Sequence, residues 1–201
     1  EIWWDVWTHP GADTFRRILR EPGVKTSRPF IWVSVTTFIT YLFTLLVYLL
    51  LFPDLTLSEN VGISYSTYLL CLTIASPALA IFGISLQCAI YHGVARLMSG
   101  QGTFDSMVYC FGTVTAPGIL ASLIISIPIL VLTSASPDAS LCGSLITLPL
   151  GIYTLVLYVG AIDGVEGIGT GKAVLTYFIP VIVIMVLTIC LMSFFWLPTA
   201  M

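Results

Sequence analysis

Few side chains in this sequence can do acid–base or ligand chemistry, and they are bunched. Gln87, His92 and Arg96 lie toward the end of one long apolar stretch, while Asp163, Glu166 and Lys172 flank a glycine-rich break near the end of another. His92 and Arg96 are four residues apart, so on a helix they share a face. Two readings of that pair stand side by side. Both side chains snorkel to a membrane surface, or they meet Asp163 or Glu166 across a bundle, in a polar cluster centred on Arg96 that offers a docking point for a partner or a lipid headgroup. An ion or proton path would place ionisable groups at mid-membrane depth. Of these six residues, Gln87 and His92 reach furthest inward.

Other chemistries fail on spacing. Gly167, Gly169 and Gly171 lead into Lys172, but a phosphate-binding loop needs Gly-x-x-x-x-Gly-Lys followed by Ser or Thr. Here Glu166 stands five before Gly171, and Ala173 follows the lysine. The run therefore reads as a turn between helices. There is no Gly-x-Ser-x-Gly elbow, no His-Glu-x-x-His pair and no pair of aspartates within an apolar stretch. The cysteines at 71, 88, 110, 142 and 190 are scattered without a Cys-x-x-Cys, and the histidines are His9 and His92. A metal site needs converging ligands, so the thiols read as small buried apolar groups. Neither a catalytic set, a metal nor a cofactor is expected. Cys71 and Cys142 fall near the same membrane face, and a disulfide between them is left open.

The elements that carry these residues are set by hydropathy. The chain has 201 residues, 58% of them hydrophobic and 8% charged, with a mean hydropathy of +1.03. A soluble domain has about 25% charged residues, so this composition predicts an integral membrane protein, all α. Seven Lys and Arg in total cannot build a phosphate-tracking surface, which excludes a nucleic-acid partner. Five apolar segments are long enough to cross about 30 Å of hydrocarbon: residues 29–52, 66–98, 104–132, 144–161 and 173–196. The second would extend about 48 Å, so it tilts, kinks or projects from the bilayer. Pro77, Pro117, Pro128, Pro149 and Pro180 fall inside four of the spans and predict kinks. Kinked spans are also where transporters build solute sites, so a small-solute or ion transporter is the alternative function. Gly160 and Gly164 form a Gly-x-x-x-Gly that permits close helix approach.

Residues 1–28 form a separate segment before the transmembrane domain of residues 29–201. Trp3, Trp4 and Trp7 favour a membrane–water interface. Asp13 is a candidate N-cap for a short helix from Thr14 to Arg20, stopped at Glu21-Pro22-Gly23. Phe15, Ile18 and Leu19 share one side of that helix, and Arg16, Arg17 and Arg20 the other. This predicts an interfacial amphipathic helix with its arginines at lipid phosphates; docking to a partner is the rival reading. All seven basic residues, Arg16, Arg17, Arg20, Lys25, Arg28, Arg96 and Lys172, fall on one side of a five-span map. The positive-inside rule makes that side cytoplasmic, with the C-terminus outside. The membrane would be the cytoplasmic one in a prokaryote, or that of the ER or Golgi in a eukaryote.

Spans two and three meet at Ser99-Gly100-Gln101-Gly102-Thr103-Phe104-Asp105. Gly100 and Gly102 would supply the backbone angles of a tight reversal, and Thr103 or Asp105 the cap of the next helix.

Three features together carry a family resemblance. An interfacial lead with Pro10, Phe15 and Ile18 precedes the first span. The turn Gly100-Gln101-Gly102-Thr103-Phe104 is followed by Tyr109 and Ala116-Pro117. A span with Tyr153 and Tyr158 leads through Gly164 and Gly167 to Gly171-Lys172-Ala173. In these the chain resembles the Yip family of Ypt/Rab-interacting proteins, particularly its short prokaryotic five-span members. The resemblance implies a non-enzymatic membrane protein that organises membrane or serves as an adaptor or accessory subunit beside other membrane proteins. Eukaryotic members work with Rab GTPases; the chain lacks their long polar N-terminal region, which weighs against a GTPase partner.

Overall fold

A computed structural model of the chain describes residues 2–21, 24, 25, 27–51, 64–135 and 139–196, the side chains of 131–142, 144 and 191–196 excepted. Among the described residues there are seven helices: α1 (Ile2–Thr8), α2 (Ala12–Leu19), α3 (Ser27–Leu51), α4 (Tyr65–Leu97), α5 (Phe104–Ala135), α6 (Ala139–Glu166) and α7 (Thr170–Trp196). The last five are each long and apolar enough to cross a membrane. The side chain of Cys142, the thiol considered as a partner for Cys71, is outside those described; Cys71 is a free thiol.

The long helices alternate in direction. The starts of α3, α5 and α7 and the ends of α4 and α6 therefore share one end of the bundle, the basic end. Helix α3 packs on α4 and α5, α5 on α6, and α7 on α6 and α4. Near the basic end four rings tie α4 to α7 together. Tyr91 stacks on Tyr177 at 5.5 Å and tilts against Phe111 at 5.6 Å, and Phe111 meets Tyr158 at 5.0 Å. Away from this core, Val181 to Leu187 on α7 are exposed hydrophobics, as a lipid-facing surface should be.

Apolar surroundings require every backbone and hydroxyl group to find a partner within the protein. Thr36, Thr40 and Thr44 on α3 donate back to carbonyls of their own helix. All five prolines named above sit inside unbroken helices. At Pro77, the Thr73 carbonyl loses its usual amide donor, and Ser76 Oγ donates to it instead at 2.9 Å.

The first segment differs from its expectation in three ways. Residues 2–8 are themselves helical. Helix α2 starts at Ala12 with Gly11 as N-cap, so Asp13 is in its first turn and pairs with Arg16 at 3.0 Å rather than capping. Most important, neither helix stands apart from the bundle. Helix α1 packs on α5 and α2 on α6, and Val6, Phe15 and Ile18 are fully buried in the common core. The apolar face that looked ready for lipid covers protein.

The seat for α2 is the Gly160/Gly164 pair. A Cβ on Gly164 would come within 2.7 Å of Phe15 Cβ and 2.8 Å of the Ala12 carbonyl, and one on Gly160 within 3.4 Å of the Phe15 ring. The Gly-x-x-x-Gly serves close approach, but by a short N-terminal helix rather than another span.

Candidate functional site

The ionisable residues converge at the basic end, and α6 supplies the centre. The helix does not stop at Ala161. It continues to Glu166, which carries Asp163 and Glu166 into the bundle instead of leaving them in a loop. Asp163 is only 5% exposed and Glu166 2%. Two acids are tolerated there because each is saturated with donors.

Glu166 holds the α4–α5 turn. Its Oε1 lies 2.5 Å from His92 Nδ1 on α4. Its Oε2 accepts from the Gly102 amide at 2.9 Å, and its backbone carbonyl accepts from the Gln101 amide at 3.1 Å. Asp163, one turn earlier, holds the α6–α7 turn. Its Oδ1 accepts from the Gly169 amide at 3.1 Å and its Oδ2 from the Thr170 hydroxyl at 2.9 Å. Arg16 Nη2 on α2 reaches the same Oδ1 at 3.3 Å. Helix α6 thus ends in two carboxylates that between them fasten both turns and the N-terminal helix.

The turns are shaped for this. Helix α4 ends with the Gly100 amide bonded to the Ala95 carbonyl and the Ser99 amide to Arg96, the paired bonds of a Schellman terminus. The residue with positive φ there is Ser99, at 71°, not Gly100 or Gly102. Those glycines serve space instead of angle. A Cβ on Gly100 would sit 2.5 Å from Glu166 Oε2, and one on Gly102 2.6 Å from Val165 Cγ1. Thr103 caps α5 as expected, its Oγ1 accepting from the Ser106 amide at 3.2 Å. In the α6–α7 turn, Gly167 and Gly169 do take positive φ, 66° and 81°.

Arg96 is not the centre. Its Nη2 donates to the Gly102 carbonyl at 2.8 Å, its Nη1 to the Gly100 carbonyl at 3.4 Å, and its Nε faces His92 Nε2 at 3.5 Å. Among the described residues no acidic side chain pairs with it. The reason is geometric: Glu166 points inward to His92 and the Gly102 amide, and Arg96 closes the outer side of the same turn through its carbonyls. Lys172 is exposed in the first turn of α7 and takes no part. Gln87 lies deeper and apart, half-buried beside Tyr158. It borders one cavity of about 260 Å³ among α3, α4 and α5, and another of about 220 Å³ between α4 and α7.

The residues expected at lipid divide. Trp4 is 76% exposed and Arg20 is exposed. Trp3 packs against Trp32 at 5.7 Å. Trp7 packs on Tyr153 at 5.7 Å, and the Tyr153 hydroxyl donates to the Trp7 carbonyl. Arg16 is engaged by Asp13 and Asp163, and Arg17 pairs with Asp5. Sequence reasoning missed the roles of Gly102, Gly169 and Thr170. The usable signal was the Gly160/Gly164 pair interleaved with the acids, which marks the site where another backbone comes close.

No curated protein and no solved structure matches the chain significantly. A profile of the Yip1 domain matches residues 4–192. That match runs from within α1 to within α7, so it takes in the docked N-terminal helices, both fastened turns and the acids between them. By this match the chain belongs to the Yip1 domain family, a family of non-enzymatic integral membrane proteins.

Proposed function

We propose that the protein is a non-catalytic adaptor or accessory subunit, which presents a rigid basic-end face to other membrane proteins from the cytoplasmic side. The observation that carries this reading is the use of the buried acids. Asp163 and Glu166 are spent on fixing turns and α2 in place, which pre-organises the exposed side chains around them, Gln101, Thr103 and Lys172 among them. A preformed surface binds with less ordering cost. Family membership supports the non-enzymatic part. The grouping of all seven basic residues at this end supports its cytoplasmic placement.

The test is photocrosslinking in native membranes. A photoreactive residue placed at Gln101, Thr103 or Lys172 is expected to give discrete adducts with one or a few membrane proteins, and one placed at the lipid-facing Ile184 is not. Adducts that are absent at all three positions, or equally abundant at Ile184, would refute the reading.

A small-solute or ion transporter is the second reading, supported by Gln87 at the edge of two cavities. Selective flux in proteoliposomes that Gln87→Ala abolishes would favour it over the adaptor.

A further inference from the structure

We propose that Trp3, Trp32 and Glu21 form a binding site for the ammonium group of a zwitterionic phospholipid headgroup. The two indoles meet edge to face, with centroids 5.7 Å apart and planes at 84°, so they form two walls of a corner. Together with Ile2 and Glu21 they line a cavity of about 480 Å³ between the N-terminal segment and α3. Aromatic faces attract cations through their quadrupole, tryptophan most strongly, and this is how quaternary ammonium groups are commonly held. A carboxylate at the third side adds an opposite charge. Among the described residues no lysine or arginine lines the cavity, so an anion meets no positive charge inside it.

The occupant is argued from what stands next to the cavity. Trp32 also packs on Tyr109 at 5.8 Å. Arg28 lies one turn before Trp32 on α3 and shares its helix face, so a guanidinium and the cavity's carboxylate both stand beside the aromatic run. A headgroup carrying both a phosphate and an ammonium matches that order: phosphate toward Arg28, ammonium into the corner. The depth also fits. Trp32 is five residues beyond Ser27, where α3 begins, or roughly 7.5 Å along the helix axis, at the level where headgroups meet tryptophan belts. Trp3 reaches this depth only because α1 is docked on α5. The site is independent of the adaptor reading and survives its failure.

The experiment titrates the purified full-length chain in detergent with dihexanoyl phosphatidylcholine, dihexanoyl phosphatidylglycerol or choline chloride, following intrinsic tryptophan emission. Phosphatidylcholine is expected to give a saturable change. Phosphatidylglycerol, which lacks the ammonium, and choline, which lacks the phosphate, should bind at least about tenfold more weakly. Glu21→Gln and Trp3→Leu each should weaken phosphatidylcholine about tenfold with unchanged circular dichroism; Glu21 is exposed, so its substitution removes no core packing. The absence of a saturable response in the unmodified chain would overturn the proposal. So would unchanged binding in both variants, or phosphatidylglycerol binding as tightly as phosphatidylcholine. Choline binding as tightly as the lipid would overturn the lipid assignment.

Discussion

His92 and Glu166 are 74 residues apart in sequence, and their side chains meet at 2.5 Å with the carboxylate fully enclosed and the imidazole 18% exposed. The pair joins the last turns of α4 and α6, and the second carboxylate oxygen joins α6 to the turn that follows α4. Removing the carboxylate leaves the imidazole and the Gly102 amide without their acceptor. Glu166→Ala is therefore expected to cost roughly 3 kcal/mol or more. Glu166→Gln keeps an acceptor for Gly102 and the side-chain volume, and should cost about 1–2 kcal/mol. Thermal unfolding in detergent should rank the chains unmodified, Gln, Ala. Equal midpoints would show that the pair does not hold the turn.

Gly164 and Gly171 offer a matched comparison. A methyl on Gly164 strikes α2, while nothing lies within 4 Å of one on Gly171, which sits inside the first turn of α7. Gly164→Ala should lift α2, so that amide exchange over residues 12–19 speeds at least about tenfold while the spans keep their protection. Gly171→Ala should be neutral or stabilising by up to about 1 kcal/mol, as a helical glycine replaced by alanine. Slow exchange over 12–19 in Gly164→Ala would mean that α2 accommodates the methyl.

Ser99 holds a left-handed conformation, φ 71°, at a helix terminus where glycine is usual. An L side chain in that region costs about 1–2 kcal/mol, and glycine's greater freedom in the unfolded chain returns about 0.5–1 of it. Ser99→Gly should therefore stabilise by about 0.5 kcal/mol. A lower unfolding midpoint would point to a contact of the Ser99 side chain that outweighs the strain.

The orientation proposed above is open to cysteine labelling in a background without native cysteines. A cysteine at Gln101 or Gly169 should react with a membrane-impermeant reagent only after permeabilisation, and one at Asp54 or Asp138 in intact cells. The opposite pattern would invert the orientation.

The five spans and the polar end could be read from the sequence because hydropathy and charge placement are local properties. The end of α6 could not. Asp163 and Gly164 look like a loop by composition, and only donors supplied from α2, α7 and the turn after α4 make a helix ending in buried acids tolerable. Those donors are between 6 and 147 residues distant, and no local pattern announces them. The same holds for α2. Phe15 and Ile18 give it an apolar face whether that face meets lipid or protein, and the deciding residue, Gly164, lies on another helix. The cluster around Arg96 was expected because basic residues seek acids, whereas the carbonyls of Gly100 and Gly102 satisfy it at shorter range.

The position of the two carboxylates at the end of α6 has a consequence for how the molecule is made. Ribosomes deliver the chain from its N-terminus, so α2 and the α4–α5 hairpin are already synthesised when Asp163 and Glu166 emerge. Until then His92 and the Gly102 amide lack their acceptor, Arg16 has only Asp13, and Gly164 is not yet there to seat Phe15. The first three spans can pack on one another, but their hold on α6 and α2 must wait for the fourth. The bundle therefore closes in one late step, and a chain broken off before Asp163 would leave the membrane with a loose hairpin and a displaced helix, a form that quality-control proteases can tell from the finished protein.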